Sequence, residues 1–241
     1  MRDLPIVRSQ EARYTRDSAF SYGCHACNHC CHDKIIHLNP YEVTRLAHNR
    51  GIGTSEFLSQ YTDSAGTALK RVEDGACVFL TEDGCGVHAD RPLVCRIYPL
   101  GRHVTTQGDE WFAELAPHPH TEGRYGIAGT VEEYLQAQGA QPYIDAVDRY
   151  LDLLGKMAAV LRRGLKHNTD VRTKVEQAVD RLMTDHQAPM PVWLDVDAVT
   201  TRYCAEQHLA VPTDPSIKMD VHMRAIEAWI EAVHSQPRRT P

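Results

Sequence analysis

Residues 24–31 read CHACNHCC and place four cysteines within eight residues. Cys24 and Cys27 are separated by two residues, a spacing that puts two thiolates on one tight loop, close enough to grip one metal ion. Cys30 extends the run to the Cys-x2-Cys-x2-Cys spacing that opens a bacterial ferredoxin motif. Cys31 departs from that motif because it follows directly and no proline comes after it. Since adjacent side chains of an extended chain point apart, one of Cys30 and Cys31 can serve a second metal, or a different iron of one cluster.

Three more cysteines complete the cluster further along the chain. Several thiolates around one cation leave net negative charge, and Arg91 and Arg96 flank Cys95 as candidate partners that would reduce it. The alternative for both arginines is ordinary surface ion pairing. The density and spacing of the cysteines predict a metal site with the ligands Cys24, Cys27, Cys30, Cys31, Cys77, Cys85 and Cys95. The eighth cysteine, Cys204, is predicted to be a buried small hydrophobic residue.

Length and charge exclude several classes of protein. The chain has 241 residues, with 26 Lys and Arg against 32 Asp and Glu and a formal net charge of −6. The charge is spread evenly along the sequence, so neither a basic nucleic-acid footprint nor a polybasic membrane patch is predicted. No apolar stretch resembles a signal peptide or a membrane span. We therefore expect a cytoplasmic protein with no nucleic-acid or membrane partner.

The expected compartment decides how the cysteines are interpreted. Cytoplasmic thiols stay reduced, and clustered cysteines there indicate metal binding or catalysis more often than disulfides. Thiolate ligation suits Zn²⁺ and iron–sulfur clusters and disfavours Mg²⁺ or Ca²⁺. Both cofactors remain open at this point. The paired Cys-x2-Cys spacing favours zinc, whereas the triple and the adjacent pair Cys30–Cys31 favour an iron–sulfur cluster.

Histidines are interleaved with these cysteines. His25, His29 and His32 are predicted by default to be solvent-exposed or to hydrogen-bond beside the ligands. His88 is the stronger ligand candidate because it lies between Cys85 and Cys95.

Short elements are predicted around the cysteines. Asn39 and Glu42 form a capping box, and the helix that they begin can end at Gly51. Thr54 is predicted to cap a second short helix. Turn signals at 73–75 and 82–84 bracket an apolar run. Residues 103–106 and 111–115 are predicted to pair as a hairpin, whereas residues 1–23 and 123–129 are interpreted as a polar lead-in and a loop.

Helices are predicted after residue 130. A capping box at Thr130 and Glu133 begins the first, and helical spacing continues over residues 144–161, 171–182, 195–209 and 217–232, with Pro189 and Pro191 between two of them. The predicted fold class is α+β. A small, irregular, cysteine-rich metal-binding domain of residues 20–129 is followed by an all-helical part of residues 130–236.

The order and flanks of the cysteines resemble a known family. The pattern CxxCxxCC, then CVFL at 77–80, then CGVHADRPLVCRIYP at 85–99 resembles the YkgJ-like cysteine-cluster proteins, a zinc- or iron-chelating family. The family is in turn similar to the cysteine-rich part of flagellin lysine-N-methylase. The resemblance covers about residues 20–130 and implies that the seven clustered cysteines bind metal. His88 stands where family members commonly have an aromatic residue, and His118 or His120 stands where many have a further cysteine.

Three classes of function remain. No Gly-rich phosphate loop, nucleophile elbow or His-Glu-x-x-His helix occurs, so an enzyme would work through an open position on the metal. Asp33, Lys34 and Tyr98 lie near the motifs, and their predicted default is solvated surface. The preferred hypothesis is a protein that coordinates an iron–sulfur cluster or zinc in a redox, metal-handling or scaffolding role. The alternatives are a metal-dependent, methylase-like protein-modifying enzyme and a structural zinc module that binds a protein partner.

Overall fold

The computed structural model describes residues 13–63, 66–105, 107–116, 120–167 and 192–235. The described strands are β1 (Ala19–Gly23), β2 (Leu80–Thr81), β3 (Gly84–Cys85), β4 (Leu100–Val104), β5 (Glu110–Glu114) and β6 (Arg124–Thr130). The described helices are α1 (Pro40–Arg50), α2 (Thr54–Tyr61), α3 (Leu93–Arg96), α4 (Val131–Ala137), α5 (Gln141–His167), α6 (Val196–Gln207) and α7 (Pro215–Ser235). Short 3-10 turns lie at His29–Cys31, His88–Asp90 and Val192–Leu194.

The chain is mixed α+β with a helical C-terminal part, as predicted. It divides into two compact units. Unit 1 comprises Met1–Cys30 and Leu93–Gln141, and unit 2 comprises Cys31–Pro92 and Pro142–Pro241. Each unit contains residues from both sides of residue 130. The division into independently folding domains of residues 20–129 and 130–236 stays a prediction.

Unit 1 is built on two antiparallel β-ribbons, β1 with β6 and β4 with β5. The predicted capping box is confirmed at α4, where Thr130 Oγ1 accepts from the Glu133 N–H at 3.2 Å and the Glu133 carboxylate accepts from the Thr130 N–H at 2.8 Å. Such a box satisfies two backbone donors that a helix start leaves open. Fully buried apolar side chains form the core of the unit: Phe20, Leu100, Phe112, Val131 and Leu135.

The ribbon of β1 and β6 was not predicted. Residues 123–129 were expected to be a loop, yet most of them form β6, and residues 19–23 of the expected lead-in form β1. The pairing runs from Ala19 opposite Thr130 to Gly23 opposite Arg124. Because the two strands are about a hundred residues apart, neither carries a local hairpin signal, and the glycines of β6 are typical of a loop. Residues 1–12 of the lead-in lie outside the described residues.

The hairpin of β4 and β5 in unit 1 agrees closely with the predicted hairpin. β4 pairs with β5 in register from Leu100 opposite Glu114 to Val104 opposite Glu110. Gly108 adopts a φ of 92° in the turn, a conformation that glycine reaches without the steric cost of a Cβ. The first predicted strand was displaced by two to three residues toward the turn and the second by one residue away from it, and Thr106 lies outside the described residues.

Unit 2 begins with α1, whose predicted boundaries are confirmed. Asn39 and Glu42 form the capping box, with both hydrogen bonds at 3.0 Å. Gly51 ends the helix in the left-handed conformation with φ of 68°. The apolar face of α1 supplies Val43 and Leu46, both fully buried, to a core completed by Phe57, Leu58, Leu69, Phe79, Val87 and Leu194.

The prediction that Thr54 caps α2 is wrong. Gly53 occupies the N-cap position and makes no side-chain cap, and Thr54 is the first helical residue. The cap comes from a distant segment, because Asp197 Oδ2 accepts from the Thr54 N–H at 2.7 Å. Thr54 Oγ1 in turn donates to Asp195 Oδ1 and accepts from the Asp197 N–H, each at 2.8 Å. The starts of α2 and α6 therefore cap each other, which local sequence cannot reveal.

The later helices confirm most of the predicted pattern. Asp195 caps α6 through the Ala198 N–H at 3.2 Å, and α7 covers the last predicted stripe. In α5, Leu151 and Leu154 follow the predicted helical spacing of residues 144–161, but their side chains are 53% and 38% exposed. The buried face of α5 is instead formed by Tyr143, Ile144, Ala146, Tyr150 and Leu153. The helix predicted over 171–182 and the prolines 189 and 191 lie outside the described residues.

Candidate metal centre

The first cysteine run occupies an irregular loop, as predicted. Ala26 and Asn28 adopt left-handed backbone conformations, with φ of 53° and 62°. Asn tolerates that conformation well, whereas for Ala it costs about 1–2 kcal/mol. The Ala26 N–H lies 3.4 Å from Cys24 Sγ, so the thiol of Cys24 accepts a backbone hydrogen bond. The run is therefore irregular up to the 3-10 turn at His29–Cys31.

Four of the clustered cysteines belong to unit 1. Cys24 is exposed, and Cys27, Cys30 and Cys95 are partly buried. Cys24 and Cys30 both lie near the phenol of Tyr22, since the charge of each contributes to the pKa of that group. Cys95 is held in the one-turn helix α3.

Three tyrosines beside this cysteine run were not identified from the sequence as parts of the site. The ring of Tyr22 packs edge-on against Tyr98 and Tyr125, with centroid distances of 6.0 and 5.0 Å. Tyr98 was expected at the solvated surface but is buried. Burial raises the pKa of Tyr22, a hydrogen bond with Thr121 opposes the rise, and the charges of the neighbouring thiolates add to it. Tyr22 lies near Cys24 and Cys30, and Tyr22 and Tyr125 belong to the β1–β6 ribbon, which sequence reasoning also missed.

The other three clustered cysteines belong to unit 2, and the fold brings them together. The Cys77 N–H donates to the carbonyl oxygen of Cys31 at 2.8 Å. Cys85 lies opposite Leu80 in the β2–β3 hairpin, and the Leu80 N–H donates to the Cys77 carbonyl at 2.9 Å. All three thiols are partly buried. Two motifs that are distant in sequence therefore meet at one hairpin.

The electrostatics of Cys77 place its thiol near that of Cys85. Burial raises the pKa of Cys77, the backbone N–H of Phe79 lowers it by a hydrogen bond, and the charge of Cys85 raises it further. Two thiolates so close to each other repel without a cation between them. A bound metal ion reverses this balance, because a coordinating thiol loses its proton to the metal's charge.

The two arginines proposed as thiolate partners make contacts with backbone carbonyls. In unit 1 the buried Arg96 donates to the Gln138 carbonyl at 2.7 Å. In unit 2 Arg91 donates to the His88 carbonyl at 2.6 Å, with Nη1 also 3.3 Å from His88 Nδ1. Neutralisation of thiolate charge by either arginine stays a prediction.

The histidines near the cysteines separate into exposed and paired ones. His25 and His88 are exposed, and His32 is partly buried beside Ala76. In unit 1 the rings of the partly buried His29 and the exposed His120 have centroids 5.8 Å apart and planes inclined at 49° to each other. His118 lies outside the described residues. Its role as a ligand stays a prediction, as do those of His88 and His120.

The donor set fits a zinc or iron site by its chemistry. All eight cysteines are free thiols, and each lies within the described residues. Across the described ranges, no three His, Cys, Asp or Glu side chains converge on one point that could hold an ion. Soft, closely spaced thiolates are the ligands that zinc and iron–sulfur clusters prefer. The assignment of the seven clustered cysteines as ligands stays a prediction.

Cys204 fulfils the role predicted for it. It is completely buried on α6 in unit 2, and its thiol lies 3.7 Å from the carbonyl oxygen of Ala210. This is the packing of a small core residue with a weak S–H donor.

The cysteine-rich segment is the part of the chain that is similar to a known family. Residues 23–115 match the family model described as "CxxCxxCC: Putative zinc- or iron-chelating domain". This match covers less than half of the chain, and at that level it confirms the resemblance seen in the cysteine pattern. No curated protein and no solved structure matches the chain, and similarity to flagellin lysine-N-methylase is not found. None of the helices that the structure describes combines the length and apolar character of a membrane span.

Proposed function

We propose that the seven clustered cysteines bind an iron–sulfur cluster, with zinc as the alternative metal, and that the chain acts in redox chemistry or metal handling. The carrying observation is the 2.8 Å hydrogen bond between the Cys77 N–H and the Cys31 carbonyl. It joins Cys31, the last cysteine of the first run, to Cys77, the first cysteine of the second motif, within unit 2. A metal ion that only stabilised one loop would need thiols from only one of the two cysteine motifs.

The chemistry of the loop supports a cluster over a simple zinc knuckle. Cys24, Cys27 and Cys30 follow the spacing used by ferredoxins, and Cys31 adds an adjacent thiol. Together with Cys77, Cys85 and Cys95 this is more sulfur than one tetrahedral zinc ion accepts. A single iron–sulfur cluster also uses four cysteines, so seven thiols suffice for more than one centre, and the preference for a cluster rests on the ferredoxin-like spacing.

A reducing compartment is part of this proposal. Because cytoplasmic thiols stay reduced, seven clustered free cysteines are compatible with the cytoplasm. A redox or metal-transfer role also requires a protein partner that accepts electrons or metal.

The test is a metal analysis of the protein purified without oxygen. Iron, zinc and acid-labile sulfide are measured against protein concentration, and the visible spectrum is recorded. Broad absorption near about 400 nm together with labile sulfide is the expected result. A colourless protein with bound zinc and no iron would replace the cluster by zinc. A protein with neither metal, even after anaerobic reconstitution, would overturn the proposal.

A further inference from the structure

We propose that α5 carries a docking surface for α5 of a second copy of this chain, with the two helices antiparallel. The inference goes beyond the proposed function, because α5 lies outside residues 23–115 that match the metal-chelating family. It begins from two neighbouring leucines, Leu151 and Leu154, whose side chains are exposed. Large apolar side chains that lie together on a protein surface mark a contact with another molecule more often than isolated ones do.

The apolar residues of this surface have the spacing of a coiled coil. We call them the α5 seam: Val147, Leu151, Leu154, Ala158, Leu161 and Leu165. Their intervals alternate between four and three residues, and α5 continues through all six positions. This repeat keeps one line of apolar residues facing a partner helix along its length. The α5 seam therefore fits an α-helix better than an extended peptide or a small molecule.

The ion pairs between α5 and α7 lie on the other side of the helix. Arg149 pairs with Asp220 at 2.8 Å, and Lys156 pairs with Glu227 at 2.6 Å. Each of these α5 residues is two positions from a leucine of the α5 seam, which is about 160° around a helix of 3.6 residues per turn. The ion pairs with α7 thus leave Leu151 exposed, and a second molecule can reach it.

The charges along α5 favour a second copy of the same helix in antiparallel orientation. Residues 141–152 contain three aspartates and one arginine, whereas residues 153–167 contain four lysines and arginines and no acidic residue. Two antiparallel copies place the acidic half of each helix beside the basic half of the other, whereas a parallel pair places like charges together. A two-fold axis repeats the favourable contacts at both ends of the pair, because both copies use the same surface.

Gly155 lies at the centre of the antiparallel pair. Asp148 and Arg162 each follow a position of the α5 seam by one residue, where charges set the orientation of paired helices. Pairing Asp148 of one copy with Arg162 of the other puts the two-fold axis at Gly155, midway between them. A Cβ added at Gly155 meets nothing within 4 Å in its own chain. Glycine inside a helix destabilises it relative to alanine, and at this position its small size lets a second helix approach closely.

The experiment measures the mass of the full chain by analytical ultracentrifugation over a range of concentrations, in oxygen-free buffer with a phosphine reductant. Wild type should reach twice the 27.1 kDa mass of one chain. Leu151→Glu should weaken dimerisation by about a hundredfold or more, because the two-fold axis places the charge in the interface twice. Leu209→Glu is the matched control. Leu209 is 54% exposed between α6 and α7, and its substitution should leave the dimer unchanged.

Exchange of charges tests the orientation of the two helices. Asp148→Arg and Arg162→Asp should each weaken the dimer by about tenfold, because like charges then meet at both ends of the pair. The double variant restores opposite charges and should dimerise like wild type. Double-variant dimers as weak as those of the single variants would overturn the antiparallel register.

Two further outcomes would overturn the docking surface itself. The first is a wild type that stays monomeric at every concentration, since the α5 seam would then be covered within one chain or remain in solvent. The second is a dimer that Leu151→Glu weakens no more than Leu209→Glu does. Circular dichroism checks that each variant is folded. The metal content of Leu151→Glu should equal that of wild type, so that a failure of the dimer is distinguished from a failure of the metal site.

Discussion

The backbone N–H of Cys77 donates a 2.8 Å hydrogen bond to the carbonyl oxygen of Cys31. Next to this bond, His32 pairs with Ala76 as an isolated bridge, and the Asp33 N–H donates to the Gly75 carbonyl at 3.0 Å. Residues 31–33, at the end of the first cysteine run, thus pair through their backbone with residues 75–77, in the turn that leads to Cys77. We expect metal binding in unit 2 to depend on this pairing, and the first prediction tests that.

Gly75→Ala should disrupt the backbone pairing of residues 31–33 with residues 75–77. Gly75 has a φ of 84°, and an added Cβ would fall well inside van der Waals contact with Asp33 Oδ1. We expect a loss of about 1–3 kcal/mol in unfolding free energy and weaker metal binding, because Cys77 moves away from Cys31. Denaturant titration and chelator competition measure the two effects.

Gly108→Ala separates backbone strain from the clash. Gly108 has a similar φ of 92°, but nothing lies within 4 Å of the Cβ that the substitution adds. It should cost only the left-handed backbone penalty and leave metal affinity unchanged. Equal metal affinity in the two variants would show that the contact with Asp33 is irrelevant to the site.

Substitutions at the seven clustered cysteines are expected to reduce the metal content, whereas substitution of Cys204 is not. Cys27→Ser and Cys95→Ser are each expected to lose metal and to lower the unfolding free energy by more than about 3 kcal/mol, since the binding energy of a structural metal is folding energy. Elemental analysis and thermal unfolding of the purified variants check this.

Cys204→Ser is the internal comparison for these variants. Cys204 is fully buried, so the hydroxyl should cost about 1–2 kcal/mol, but the metal content should equal that of wild type. Loss of metal on this substitution would make Cys204 a member of the ligand set and contradict the division of the eight cysteines.

Asp197→Ala should uncouple the starts of α2 and α6. Asp197 accepts from the Thr54 N–H and pairs with Lys218 at 2.6 Å, and the Lys218 side chain is only 16% exposed. Loss of a cap and of a partly buried ion pair predicts about 2 kcal/mol of destabilisation in urea. Glu206→Ala removes a solvent-exposed pair with Arg202 and should cost less than about 0.5 kcal/mol. Similar costs for both variants would contradict the capping role.

His222 predicts a dependence of stability on pH. Burial lowers its pKa to about 4, while the Trp193 carbonyl and Asp195 oppose the shift. The neutral ring hydrogen-bonds with Tyr150 at 3.0 Å and with the Trp193 carbonyl at 2.8 Å. Because the unfolded chain takes up the proton more readily, the stabilisation is complete above about pH 6.5 and declines as the pH falls toward 4.

The change should reach about 3 kcal/mol across that window. It is measured as the difference in unfolding free energy between wild type and His222→Gln, so that proton effects on the metal ligands cancel. Wild type should lose its advantage over the variant toward acid pH. A difference that stays constant from pH 7 to 4 would contradict a neutral, buried His222.

Local signals in the sequence predicted the elements that are stabilised locally. The capping boxes at Asn39 and Thr130 and the end of α1 at Gly51 are confirmed because each is satisfied by residues within one helical turn. The ribbon of β1 and β6 and the shared caps of α2 and α6 were missed. Their hydrogen bonds join segments about a hundred residues or more apart, and no short pattern encodes such a partner.

The sequence by itself determined the chemistry of this protein: seven clustered cysteines whose spacing and free thiols suit zinc or iron, and an eighth that packs in a core. Side-chain chemistry and short spacings suffice for that conclusion. Only the tertiary structure decided which distant residues meet, namely Cys31 with Cys77, Tyr22 with Gly123, and His29 with His120. These contacts depend on strand pairing between remote segments, and that pairing is selected by burial of the whole chain rather than by any local pattern.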